Sequence, residues 1–112
     1  MIGLAAILLV AASSQDAPPK LDCSIGPVER AFGGTPWIVY ACSDGRSVVV
    51  VSKGGNPAAP FVFIISPKNG RYEIYGEGNG SKTASAAALA DLKALGDDGI
   101  VKLGDAARAA GH

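Results

Sequence analysis

The chain is 112 residues long and 48% hydrophobic, and its ten basic and ten acidic residues cancel to zero formal net charge. No long run of either sign occurs, which argues against the clustered Lys and Arg of a nucleic-acid footprint and against a polybasic membrane patch. The length allows one domain with a modest core, and a single histidine, His112, with two cysteines offers no zinc site, so neither metal nor other cofactor is expected.

Ile2 to Ala12 (IGLAAILLVAA) is apolar throughout. Its length suits the core of a secretory signal peptide, roughly 7–15 residues. It falls short of the ~20 residues that cross a ~30 Å hydrocarbon layer. Ala11, Ala12, Ser13 and Ser14 supply the small side chains a signal peptidase reads, so cleavage is expected after Ser13 or Ser14, although no Lys or Arg precedes the apolar run. Cys23 lies far from that run and follows Asp22, where a lipobox has a small residue, so lipid attachment is not expected. The resulting division is a signal peptide at 1–14, a flexible Pro-containing leader at 15–22 and one domain at 23–112. The expected location is periplasmic or secreted, with no stable membrane anchor after cleavage.

An exported chain with two cysteines, Cys23 and Cys42, points to one disulfide. Closing a loop of that size stabilises by about 3 kcal/mol where native geometry permits. Two buried free thiols or an intermolecular bond are the alternatives. Leu21 to Gly34 contains Pro27 and the Gly33-Gly34 pair and reads as a loop with one helical turn around Val28 to Phe32.

Trp37 to Cys42 (WIVYAC) is aromatic and β-branched, a strand by propensity. Asp44-Gly45 suits a tight hairpin turn. Ser47 to Ser52 (SVVVVS) is a second strand, and the Gly/Pro-rich stretch Lys53 to Pro60 holds no regular structure. Phe61 to Ser66 (FVFIIS) is a third strand. Asn69-Gly70 makes a second hairpin turn into Arg71 to Glu77, a fourth strand with cleaner alternation. Strands joined by short turns form an antiparallel meander. Lys82 to Leu95 is Ala-rich with Ala88, Leu89, Leu92 and Leu95 on one helical face. Ser81 or Thr83 caps its start and Gly96 ends it. Asp97 to Ala110 reads as a weaker helix carrying Ile100, Leu103 and Ala107, with Gly104 against it. The expected fold is α+β: a four-stranded antiparallel β-meander followed by one or two C-terminal helices packed on one sheet face, with one disulfide.

Val48 to Val51 and Phe61 to Ile65 are apolar at consecutive positions, so both faces of these strands seek cover. One helix covers one face. Either other segments close the second face, or it remains for a protein partner or a second copy of the chain.

Gly76-Glu77-Gly78-Asn79-Gly80-Ser81-Lys82-Thr83 follows a strand, opens a helix and ends in Lys-Thr. It resembles the nucleotide-hydrolase phosphate loop G-x-x-x-x-G-K-[ST] over these eight residues. Ser81 stands where the second glycine is required, and hairpin strands replace the parallel βαβ context, so nucleotide binding is not expected. The turn reads as a strand-to-helix connection, or as an anion or ligand site formed by Gly78, Gly80, Ser81, Lys82 and Thr83 at a helix N-terminus.

Nucleophilic catalysis lacks a positioned base. Glu73, Glu77, Asp97 and Asp98 read as solvated decoration, with Asp97 and Asp98 capping the last helix, so no enzyme is expected. Trp37, beside Gly33-Gly34-Thr35-Pro36, is the candidate recognition aromatic, its ordinary role being core packing beside the disulfide. Tyr72 and Tyr75 fall on opposite faces of their strand.

Phe32-Gly33-Gly34-Thr35-Pro36-Trp37 leading into the Cys42 strand, and Gly76-Glu77-Gly78 leaving into an Ala-rich helix, give the chain a wider likeness. It resembles the small secreted and periplasmic proteins of Ala/Gly-rich proteobacteria of the sphingomonad type, to which no functional family is assigned. That resemblance carries no activity with it. The function expected is a non-enzymatic binding or accessory module, an inhibitor or assembly partner, acting through an apolar sheet face or edge. A small-molecule or anion-binding domain using the 76–83 turn is the alternative.

Overall fold

A computed structural model describes residues 21–111. Residues 1–14, read from the sequence as a signal peptide, and residues 15–20 of the expected leader lie outside the described residues. Five strands form one antiparallel sheet in chain order: β1 (Ile25–Phe32), β2 (Thr35–Ala41), β3 (Val48–Ser52), β4 (Phe61–Lys68) and β5 (Arg71–Gly78). The helix α1 (Lys82–Ala110) follows, and its backbone leaves helical geometry at Gly96 (φ 69°). The α+β class, the meander and the Cys23–Cys42 disulfide agree with the sequence reading.

The strand count does not. β1 occupies the stretch read as a loop with a helical turn. Gly26-Pro27 and the helix-forming Glu29-Arg30-Ala31 obscure it. A sheet edge tolerates Pro, because no neighbour needs its missing N–H, and β1 is an edge strand whose register shifts between Ile25 and Val28. Gly33 (φ 62°) and Gly34 (φ 75°) turn the chain into β2. Two successive positive φ angles are the demand of a type I′ hairpin, which glycine meets without strain. The one or two helices expected are a single run interrupted at Gly96. Ser81 is its N-cap, accepting the Ala84 N–H at 3.2 Å.

Trp37, Val39, Val48, Val50, Phe63 and Ile65 point to the inner face and are buried. Ala88, Leu92, Ile100, Leu103 and Ala107 of α1 close over them. Both halves of the helix therefore cover the same face. The Ala-rich composition has a packing reason. The Gly33 turn sits directly on the helix, where a Cβ would come within 2.6 Å of the Ala88 nitrogen. The Gly33 N–H donates to Asp91 Oδ2 at 2.6 Å, fixing that docking point.

At the opposite end of the sheet the disulfide fastens the entry to β1 onto the end of β2. The Ser43 N–H donates to the Asp22 carbonyl at 2.6 Å, so Asp22, placed in the leader by the sequence reading, is tied to the domain. The irregular 53–60 loop is pinned by Asn56, whose Nδ2 donates to the Pro36 carbonyl at 2.6 Å while its Oδ1 accepts the Ala58 N–H at 2.9 Å.

Candidate functional site

The second face of the sheet is where packing stops. Side chains alternate along a strand, so Ile38, Tyr40, Val49, Val51, Val62, Ile64 and Tyr75 point away from α1. Register aligns them in two rows. Ile38 faces Val51, which faces Val62, which faces Glu77. Tyr40 faces Val49, which faces Ile64, which faces Tyr75. Among the described residues no element lies over these rows. Ile64, on an interior strand, is 42% exposed and Tyr75 is 56% exposed. The face is not flat. Gly54, Ala59 and Pro60 of the loop and Glu77, Gly78 and Asn79 of β5 and its exit border a depression of about 440 Å³, with Val51 and Val62 among its lining.

Charge is confined to the rim. Lys53 Nζ meets Glu29 Oε1 at 2.9 Å at one edge, and Lys68 Nζ meets Glu73 Oε2 at 3.6 Å at the other. The Tyr75 hydroxyl donates to Glu77 Oε1 at 3.0 Å. That bond, and then the Glu77 charge, push the Tyr75 phenol above its ordinary value by holding its proton in place. An apolar centre with a paired polar rim is the anatomy of a protein–protein contact patch.

The 76–83 turn is built for packing. A Cβ on Gly78 or Gly80 would collide with the backbone of Pro60 and Phe61 or of Ala58 and Ala59. The Asn79 N–H donates to the Pro60 carbonyl at 3.0 Å and the Ser81 N–H to the Pro57 carbonyl at 2.9 Å. Two backbone donors that a phosphate cradle would aim outward thus hold the 57–60 loop instead. The Ser81 hydroxyl is engaged as the helix cap, while Lys82 and Thr83 are exposed on the first turn of α1.

Trp37 is fully buried, so of the two roles the sequence offered it takes core packing. Its ring packs 5.2 Å from Phe63 and 6.2 Å from Phe61. Its Nε1 donates to the Phe32 carbonyl at 3.2 Å and to Thr35 Oγ1 at 2.9 Å, satisfying the one polar group that burial would strand. It sits near the start of β2, whereas the disulfide lies beyond that strand's other end. Asp97 also differs from expectation: its Oδ1 accepts the Tyr72 N–H across to β5 at 3.2 Å. Glu73 and Glu77 stand exposed on the outer face. Tyr72 is half-buried towards the core while Tyr75 faces outward, as the alternation implies.

Sequence reading left open whether the second face is covered and did not say which residues compose it. The outer set follows from strand parity once the buried set is known. No family model, no curated protein and no solved structure matches this chain.

Proposed function

We propose that this chain is a non-enzymatic binding or accessory module of an exported compartment, and that its outer sheet face is the working surface. One observation carries the reading: two apolar rows cross the sheet, among the described residues nothing lies over them, and they end in a bordered depression. Contiguous apolar area on a monomer surface is unfavourable in water unless something covers it. The occupant is another protein presenting an apolar strand or loop, held as an inhibitor or assembly partner holds its target. The zero net charge suits recognition through shape and apolar contact. Export rests on the apolar N-terminal run and agrees with the Cys23–Cys42 bridge. Among the described residues no helix is long and apolar enough to cross a membrane.

The test pairs outer-face substitution with mass measurement in solution. Chain recovered gently from its own cell envelope is sized by light scattering. A stoichiometric complex is expected, and Val51→Thr with Ile64→Lys should abolish it while leaving the melting temperature of the free chain within a few degrees. A wild-type chain that elutes as a lone monomer and binds no apolar dye would overturn the reading. A self-dimer lost in the same variant would make a second copy the occupant in place of another protein.

A further inference from the structure

The meander places its two tight Gly-containing turns, 44–46 and 69–71, at the same end of the sheet, and each ends in arginine: Asp44-Gly45-Arg46 and Asn69-Gly70-Arg71. The second half of α1 passes the same end and contributes Arg108. The three arginines line one cleft of about 320 Å³, together with Tyr72, Asp97, Asp105, Ile100, Val101 and Gly104.

The cleft is organised around these cations. Arg108 Nη1 pairs with Asp105 Oδ1 at 3.0 Å. A Cβ on Gly104, which is buried in the helix, would sit 3.4 Å from Arg108 Nη1 and 3.2 Å from Val48 Cγ2. Glycine within a helix is less favourable than alanine. At Gly104 it admits the close approach of β3 and leaves the guanidinium room to lie across the helix. The Tyr72 hydroxyl donates to the Arg46 carbonyl at 2.9 Å, fastening one turn to the other hairpin.

The carboxylates nearby are engaged. Asp105 holds Arg108, Asp97 accepts the Tyr72 N–H, and Asp44 accepts from the Ser47 hydroxyl and from the Arg46 and Ser47 N–H groups. Among the described residues the Arg46 and Arg71 guanidinium groups make no side-chain hydrogen bond and no ion pair. Two unpaired planar donors and a third, all on residues that line a small concavity, match an oxyanion in sign and in hydrogen-bonding capacity.

We propose that this cleft binds a small organic oxyanion, a carboxylate or a phosphate monoester, with Arg46 and Arg71 gripping the anionic group while Arg108 supports it from the helix. Ile100 and Val101 flank the ligand's apolar body. The volume lies at the low end for ligand sites, which suits a small metabolite and not a nucleotide. The proposal does not depend on the outer sheet face.

The exported, oxidised chain is titrated with inorganic phosphate and, separately, with succinate at constant ionic strength, following backbone amides and arginine Nε–H signals by NMR. Saturable shifts confined to Gly45, Arg46, Gly70, Arg71 and Arg108 are expected. Arg46→Gln with Arg71→Gln should weaken binding by on the order of tenfold or more, while Arg30→Gln on β1 leaves it unchanged. Each single variant serves the same test if the pair unfolds the chain. Preference for phosphate or for succinate identifies which oxyanion the site takes. Shifts that never saturate, that appear equally at Arg30 and Lys93, or that persist unchanged in the arginine variants would overturn the site.

Discussion

The two faces of the sheet are built from the same kinds of side chain on the same strands, yet one is dry and the other wet. On β3, Val48 and Val50 are buried while Val49 and Val51 are not. On β4, Phe63 and Ile65 are buried while Ile64, between them, is exposed. Nothing in the strands distinguishes the two sets. The difference is made by α1, whose Leu92, Ile100 and Leu103 reach only one side. Apolarity of a strand position therefore states a demand for cover, and the rest of the chain decides whether the demand is met internally.

The largest expected effect breaks this contrast at its centre. Phe63→Ala removes a buried ring packed on Trp37 and Phe61 and should cost about 3–5 kcal/mol. Ile64→Thr, the next residue on the opposite face, should change the stability of the free chain by under about 0.5–1 kcal/mol. Urea denaturation of both variants reads the difference directly. Equal losses would mean that the outer face is covered in the free chain.

Reducing the disulfide, or replacing both members in Cys23→Ser with Cys42→Ser, tests what holds the β1 edge of the covered side. The expected cost is about 2–4 kcal/mol, read from the shift in denaturation midpoint. A smaller but local effect is expected at the hairpin that docks on the helix. Gly33→Ala imposes a side chain at positive φ and within 2.6 Å of helix backbone. Strain of that kind costs on the order of 1–3 kcal/mol, and faster amide exchange should follow at Ala87, Ala88 and Asp91. Gly34→Ala meets nothing within 4 Å and carries only the conformational penalty of its φ.

Much of the fold was legible before any coordinates. Four strands announce themselves through aromatic and β-branched runs bounded by Asp44-Gly45 and Asn69-Gly70, and the helix through its apolar spacing and Ser81 cap. β1 was obscured because local propensity at Glu29-Arg30-Ala31 favours helix, whereas edge pairing with β2 prevails. Gly33-Gly34 was the available signal, a two-residue turn awaiting a strand on each side. The candidate surfaces were less legible. Trp37 reads as either a recognition aromatic or a core residue, and it is the tertiary packing on Phe61, Phe63 and the rest of the core that decides for the core. Arg46 and Arg71 are far apart in sequence, and only the meander and the helix's change of direction at Gly96 bring them to one cleft with Arg108.

The smallest expected effect concerns the turn at that end of the sheet and has a defined pH dependence. Partial burial raises the Asp44 carboxyl, but the Ser47 hydroxyl, the Ser47 and Arg46 N–H groups and the Arg46 charge together outweigh it and leave the group below its ordinary 3.8. A carboxylate depressed in the folded state stabilises it above the unfolded value, and that contribution disappears as pH falls through the folded value. The melting temperature of the wild type should therefore exceed that of Asp44→Asn at neutral pH, with the gap closing as the solution is acidified below about pH 4. Asp44 is exposed, so solvent screening keeps the effect below those at Phe63, the disulfide and Gly33. A gap that stayed constant or widened in acid would show that the Ser47 and Arg46 contacts do not hold the carboxylate in its charged form.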